Sequence, residues 1–417
     1  MATDKFKGSL TAAEATARLT AGFRSAVPGL GIRSIPVADG GEGTVDAAVE
    51  AGFARVLTRA TGPTGEPIEA GFAVRGETAV IEVAEASGLR RLPRGEAAPL
   101  SATSYGTGQL IRAALDAGCT RIILGLGGSA CTDGGAGLVQ ALGARLLDAA
   151  GHELPPGGAA LARLARIDLA EMAAIGELIV ASDVDNPLLG PNGAAAVYGP
   201  QKGATAEDVV LLDAALANWS RVVQDTVSGR GFGSDPAGHL VNGSPREHAS
   251  AARLAHGLAD ISGSAGAVQE FAVAAGGIGF AHAPGAGAAG GIGFAALALL
   301  GARLEPGIDI VLDLADFAAK ADGARLIITG EGSLDPQSLR GKAPAGVARA
   351  AARAGVPVVA VAGVCTLTPA ELAAAGICAA YTLSGIEPDL DRCVLDAGPL
   401  LERLAADIAA SFSGAAS

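Results

Sequence analysis

The sequence predicts an α/β protein of two or three domains, with mainly parallel sheets flanked by helices. Three observations lead there. The 417 residues exceed what one ordinary core holds. Half of them are hydrophobic but only 3% aromatic, a composition suited to close packing of helices on sheets. Short apolar runs also alternate with Ala/Leu/Arg stretches of helical period. The strands expected in order are 79–83, 121–124, 178–181, 325–328 and 356–361, and the helices include 107–117, 136–149 and 343–354. GGSACTDGG, SDVDNP, TGEGSLD and AGVCT follow four of these strands. Such polar, glycine-rich segments fall at the carboxyl ends, where open α/β sheets bind ligands.

Charge and composition exclude several classes. A net charge of −13 argues against nucleic-acid and anionic-membrane partners, which require a basic surface. MATDKFKGSL lacks the apolar core and cleavage site of a signal peptide, so a cytoplasmic location is expected. Five cysteines without a C-x-x-C pair indicate neither a disulfide framework nor a zinc site, and four read as small core residues. Residues 271–302 carry no charge, but Pro284 and nine glycines argue against a membrane span. The octapeptide AAGGIGFA occurs at 274–281 and again at 288–295, a local duplication. The second copy follows Pro284-Gly285-Ala286-Gly287 and is expected to be the working one. A loop-rich, peripheral insertion is expected at about 228–282, with one helix near 247–259.

GLGGSACTDGGAG, residues 125–137, satisfies the G-x-G-x-x-G/A fingerprint, and 285–290 gives a second formal match. Read alone, these suggest a dehydrogenase with a nucleotide cofactor. In that fingerprint, however, the helix opens at once to meet the pyrophosphate, whereas here Cys131 to Gly135 intervene and Asp133 would face the phosphates with a like charge.

Lysine usage is sharper. Of 30 basic residues only five are lysines: Lys5, Lys7, Lys202, Lys320 and Lys342. Where arginine serves generally, a retained lysine points to a compact ammonium holding a phosphate. Four of the five lie in DKFKGS, GPQKGA and LRGKAP. Carboxylates gather beside glycine in DGGEGT (39–44), DGG (133–135), DVDN (183–186) and EGSLD (331–335). Each alone reads as a turn or helix cap. Together with glycine loops and lysines they read as Mg²⁺-nucleotide phosphoryl transfer, which works by positioning and charge neutralisation. No P-loop and no protein-kinase motif set occurs.

DKFKGSLTAAEA, PVADGGEGTVDA, GLGGSACTDGGAGLVQALGA, SDVDNPLLGPNGAA, YGPQKGA, PGAGAAGG and ITGEGSLDPQSLRGKAP, in that order, resemble the bacterial class I glycerate kinases through nearly the whole chain. The resemblance implies an ATP- and Mg²⁺-dependent transferase that phosphorylates D-glycerate, favouring 2-phosphoglycerate. It also implies a terminal domain of residues 1–62 plus 285–417 and an inserted domain of 63–284. Lys7, Lys342 and Asp133 are then expected in catalysis. Phosphate or substrate contacts fall to Ser9, Asp39, Gly40, Gly41, Glu42, Gly127, Gly128, Ser129, Asn186, Lys202, Gly287, Gly290, Gly291, Glu331 and Arg340. Asp185 and Asp335 are the expected metal ligands.

The general base is expected by elimination at Asp183, the first acid after its strand in a proline-fixed loop, with Asp39, Asp133 and Asp335 as rivals. A homodimer is left open. Two departures from the family pattern stand beside the 228–282 insertion. Only Met1-Ala2-Thr3 precede Asp4, so a strand is expected to be missing, and Cys131-Thr132 stands where the family often has Thr-Asn. A dehydrogenase and a non-catalytic nucleotide-binding homologue remain the alternative readings.

Overall fold

The computed structural model describes residues 1–6, 8–93, 96–229, 279–339 and 341–414. The chain divides into two compact units, Met1–Phe53 with Glu305–Ser417, and Ala54–Leu304. The divisions differ from those expected near residues 62 and 285, for a physical reason. Strand β2 (Ala54–Thr61) pairs along its whole length with β3 (Pro67–Arg75), and the helix Ala288–Leu299 contributes Ile292, Phe294 and Leu299 to the core of the second unit.

In the second unit β2, β3 and β4 (Thr78–Glu82) form an antiparallel meander, and β4, β5 (Arg121–Gly125) and β8 (Glu177–Ala181) run parallel. With β9 (Arg303–Glu305) the sheet order is β2-β3-β4-β5-β8-β9. The central strands are continuous apolar runs because both faces are covered: Ile122, Ile123 and Leu124 are all fully buried. The helix expected over 136–149 stops at Ala141. Gly143 there takes a φ of 111°, and a Cβ on it would stand 2.3 Å from the Glu171 carbonyl oxygen. Beyond it the chain turns into a small hairpin of β6 (Arg145–Leu147) and β7 (Arg166–Asp168).

The first unit is built on a parallel sheet of order β1-β10-β11-β12, with β1 at Ala2–Thr3, β10 at Ile327–Leu334, β11 at Val358–Cys365 and β12 at Ala379–Thr382. The strand expected to be missing is therefore present, cut to two residues. Ala2 pairs with Thr329 and Thr3 with Gly330, and the Asp4 N–H donates to the Gly330 carbonyl at 2.8 Å. One face of the sheet packs Ile328, Val359 and Val361 against Leu19, Phe23, Leu401 and Ile408. The other packs Ile327 and Val358 against Ile308 and Val347. The helices Ala12–Ala26, closed by a Thr11/Glu14 capping box, and Ala397–Gly414 cross closely at Gly22, where a Cβ would stand 2.1 Å from the Glu402 carbonyl oxygen.

All five cysteines are free; three are buried, Cys365 is half-buried and Cys378 exposed, one fewer in the core than expected. The helix expected at 247–259 and most of the first AAGGIGFA copy lie outside the described residues.

Candidate active site

In the second unit three of the expected segments come together around residues 126–135. Gly128 turns the loop with a φ of 74°, its carbonyl accepts from the Leu89 N–H at 2.9 Å, and the Ala130 N–H donates to Ser87 at 2.8 Å. Gly127 is half-buried and Gly128 exposed, so their backbone is open to a ligand. Behind them lies Lys202, fully enclosed, whose Nζ donates to the Ser129 Oγ at 3.0 Å and the Cys131 carbonyl at 2.6 Å. Burial pulls its pKa down against the pull of Cys131 and Asp133. Lys202 thus anchors the loop from beneath, and Ser129 is its partner.

The PGAGAAGG segment packs on the same loop backbone to backbone. The Gly134 N–H donates to the Gly290 carbonyl at 3.0 Å, and a Cβ on Gly290 would stand 2.1 Å from the Cys131 carbonyl oxygen. Ala289, Gly290 and Gly291 are all left-handed, which for Ala289 is a strained conformation. Gly287 meets the third segment, its N–H donating to the Asn186 carbonyl at 2.9 Å.

Asp133, expected in catalysis, is held among backbone and hydroxyl donors. It is fully buried, and its Oδ2 accepts from the Ser104 N–H and Oγ, both at 2.8 Å, from the Gly137 N–H at 3.2 Å and from the Thr103 Oγ1 at 3.4 Å. Its Oδ1 accepts from the Gly135 N–H at 3.2 Å. These donors surround the starts of the helices Tyr105–Asp116 and Ala136–Ala141, so the carboxylate satisfies backbone amides left open there. A dinucleotide pyrophosphate would need those same amides, and Asp133 already holds them. Asn186 is likewise occupied: its Nδ2 donates to the Asn192 carbonyl at 2.9 Å and its Oδ1 accepts from the Tyr198 hydroxyl at 2.6 Å. In the same loop Asp183 is half-buried and Asp185 exposed.

The first unit holds a different constellation. Asp4 follows β1, Glu331 lies on β10, and Lys342 is the N-cap of the helix Ala343–Arg353. Burial, and then the neighbouring charge of Asp39, push Asp4 up to about 6, against Lys5 and Lys342. Burial pushes Glu331 up to about 7, opposed by the nearby Ser338 hydroxyl and by Lys342 and reinforced by Asp4 and Asp335. The Asp39 Oδ1 accepts from the Gly41 N–H at 3.2 Å, and Gly40 turns with a φ of 83°. Glu42 is exposed and offers its carbonyl to the Lys5 Nζ at 2.8 Å. The Ser9 Oγ donates to the Phe6 carbonyl at 3.1 Å, closing a turn bridged from Phe6 to Leu10. Lys7 and Arg340 lie outside the described residues.

Asp335, an expected metal ligand, is a turn residue: its Oδ1 accepts from the Gln337 N–H at 2.7 Å and the Ser338 N–H at 3.2 Å. Among the described residues no group of three or more acid, histidine or cysteine side chains could hold a metal by itself. Asp4 was not among the expected site residues. Its signal was its place in DKFK, directly after the strand.

The described geometry goes with a clear relationship. A model of the glycerate kinase family matches residues 1–413. A glycerate kinase of Bacillus subtilis (strain 168) is 42% identical over 418 residues, covering 99% of this chain and 97% of that one. A glycerate 2-kinase of Escherichia coli (strain K12) is 37% identical with the same coverage. A crystal structure of a glycerate kinase 2 from Salmonella typhimurium LT2 superimposes with a TM-score of 0.73 at 38% identity, over 99% of this chain and 97% of that one. With the match spanning both units, the chain belongs to the glycerate kinase family, enzymes that phosphorylate an alcohol group.

Proposed function

We propose that the chain transfers the γ-phosphoryl group of MgATP to D-glycerate, yielding 2-phosphoglycerate rather than 3-phosphoglycerate, in the cytoplasm. The observation that carries this reading is the end-to-end similarity to a glycerate 2-kinase, with every strand-end motif in order. The backbone of half-buried Gly127 and exposed Gly128, stiffened by Ser129 and Lys202, suits an anionic group. Lys342, with Lys7, supplies positive charge to phosphates and to the glycerate carboxylate. Asp39, Gly40 and Gly41 form a turn whose backbone suits close approach, and Asp185 takes a hydrated Mg²⁺. When bound, that ion would neutralise charge on the phosphates. Five free thiols accord with a reducing compartment, and no described helix is long and apolar enough to cross a membrane.

The test is ADP release by the purified chain with MgATP and D-glycerate, followed by ³¹P NMR of the product. A phosphate on the secondary hydroxyl couples to one proton and gives a doublet; a phosphate on the primary hydroxyl gives a triplet. The triplet would overturn the position. NADH-dependent absorbance change without ADP would restore the dehydrogenase reading, and binding of ATP with no turnover would support the non-catalytic one.

A further inference from the structure

The first unit contains a carboxyl group with one buried oxygen that the described residues leave without a donor. The Glu331 Oε1 is out of contact with water, and among the described residues nothing donates to it. Two residues earlier, on the same face of β10, the fully buried Thr329 Oγ1 also has no partner among the described residues. Pairing of Thr3 with Gly330 puts Asp4 and Glu331 in register, side by side at the carboxyl ends of two parallel strands. Opposite Glu331 on β11 is Ala362, too small to reach it and without a donor. Buried polar atoms are normally paired, so two bare oxygens in one column mark a place where another group completes the bonding.

We propose that Glu331, with Asp4 beside it, is the base that accepts the glycerate hydroxyl proton as that oxygen bonds to the γ-phosphorus. This deepens the glycerate kinase reading and rests on it. In the step the O–H proton passes to the Glu331 carboxylate. The hydroxyl oxygen forms the new O–P bond, and the bond from the γ-phosphorus to the bridging oxygen breaks with its electron pair going to ADP. The proton leaves Glu331 to solvent after transfer.

The surroundings suit this work. A base is most effective when its pKa lies near the working pH, and burial brings Glu331 to about 7. Among the described residues the charged groups that act on it are Asp4 after β1, Asp335 just past β10 and Lys342, the N-cap of the helix Ala343–Arg353; the nearby Ser338 hydroxyl donates to the Ser333 carbonyl at 3.2 Å. Asp4 is a positioning residue, since its charge keeps the neighbouring carboxyl from becoming too weak a base. Asp183, the base expected from the sequence, follows β8 in the second unit, and no such bare buried oxygen is found in its loop among the described residues.

The experiment is the pH dependence of kcat for the full chain with saturating MgATP and D-glycerate. The wild type should show an acidic limb centred near 7. Glu331→Gln should lower kcat by on the order of 10²- to 10⁴-fold, abolish the limb, and leave MgATP affinity by calorimetry unchanged. Asp4→Asn should retain turnover with the limb moved to lower pH, a shift that a merely structural role would not produce. Difference infrared spectroscopy should show one carboxyl titration near neutrality in the wild type that Glu331→Gln lacks. A limb that survives in Glu331→Gln, or a kcat within a few-fold of the wild type, overturns the assignment. Loss of turnover in Asp183→Asn with Glu331→Gln active would move the base to the second unit. Should the wild type itself fail to phosphorylate glycerate, the glycerate kinase reading falls, separately from Glu331.

Discussion

Asp133 and Glu331 look alike in sequence, each an acid beside glycine after an apolar strand, and the two units treat them in opposite ways. Asp133 is fully enclosed and takes hydrogen bonds from five donors. Glu331 is less buried, yet one of its oxygens has none among the described residues. The number of donors, more than the depth of burial, separates a carboxylate that holds a loop together from one available for chemistry. The same contrast runs through the lysines. Lys202 is spent on Ser129 and Cys131, whereas Lys342 is half-buried and acts on two carboxyls by charge alone.

The largest effect should come from breaking the satisfied acid. Asp133→Ala leaves the Ser104, Gly135 and Gly137 amides buried without their acceptor, at a cost of about 3–5 kcal/mol. That is a large share of a domain's stability, so chemical denaturation should show a strongly weakened unit and soluble yield should fall. Glu331→Gln should melt no lower than the wild type. A normally stable Asp133→Ala protein would remove the distinction between the two acids.

Next in size is Lys342→Ala, expected to cut kcat/KM by on the order of 10²-fold, about 2.7 kcal/mol of transition-state stabilisation, with the fold intact. Lys320, whose described contact is a backbone carbonyl bond to Arg33, is the control and should tolerate Ala. Equal kinetics for the two variants would take Lys342 out of the site. Lys202→Met should act differently, raising KM about tenfold through a loosened loop with a smaller change in kcat. A pure kcat loss in Lys202→Met would mean that its ammonium reaches the transferred phosphate directly.

The sequence made the parallel strands legible because their residues are apolar on both faces: 121–124, 178–181 and 356–361 lie in or overlap β5, β8 and β11. It hid the continuation of β10 through Gly330-Glu331-Gly332, since glycine and acid read as loop although these residues pair with β11 as far as Leu334. It also hid β2 and β3, whose outer edge is largely exposed and carries Arg55, Arg59 and Thr58 instead of an apolar run. At the site, composition singled out the lysines and acid clusters, but whether an acid is spent or available depends on donors far along the chain. Ser104 lies 29 residues before Asp133, and the partner of Lys202 lies 73 residues away. No local pattern encodes such pairings.

The smallest effect, and the finest test of the contrast, is the pH dependence of stability. In the folded first unit Asp4 is raised from 3.8 to about 6 and Glu331 from 4.5 to about 7. A carboxyl whose folded pKa lies above its unfolded value favours the folded state fully below the unfolded pKa, and that contribution is lost as pH rises through the folded one. Stability from this pair should therefore decline between about pH 4 and 7. The cap residues Glu14, Asp208 and Glu371, held low by Thr11, Thr205 and Thr368, have the opposite sign and lose their contribution only at more acid pH. The two windows are thus separable. Glutamine stays neutral throughout, so the wild type should lose ground against Glu331→Gln from pH 5 to pH 8, by about 2.5 kcal/mol from the full shift and about 1 kcal/mol once solvent screening of this partly exposed group is counted, roughly 3 °C in Tm. A Tm difference that stays flat over that range would show that Glu331 keeps its charge across it, and the bare oxygen would then need a partner that the fold itself supplies.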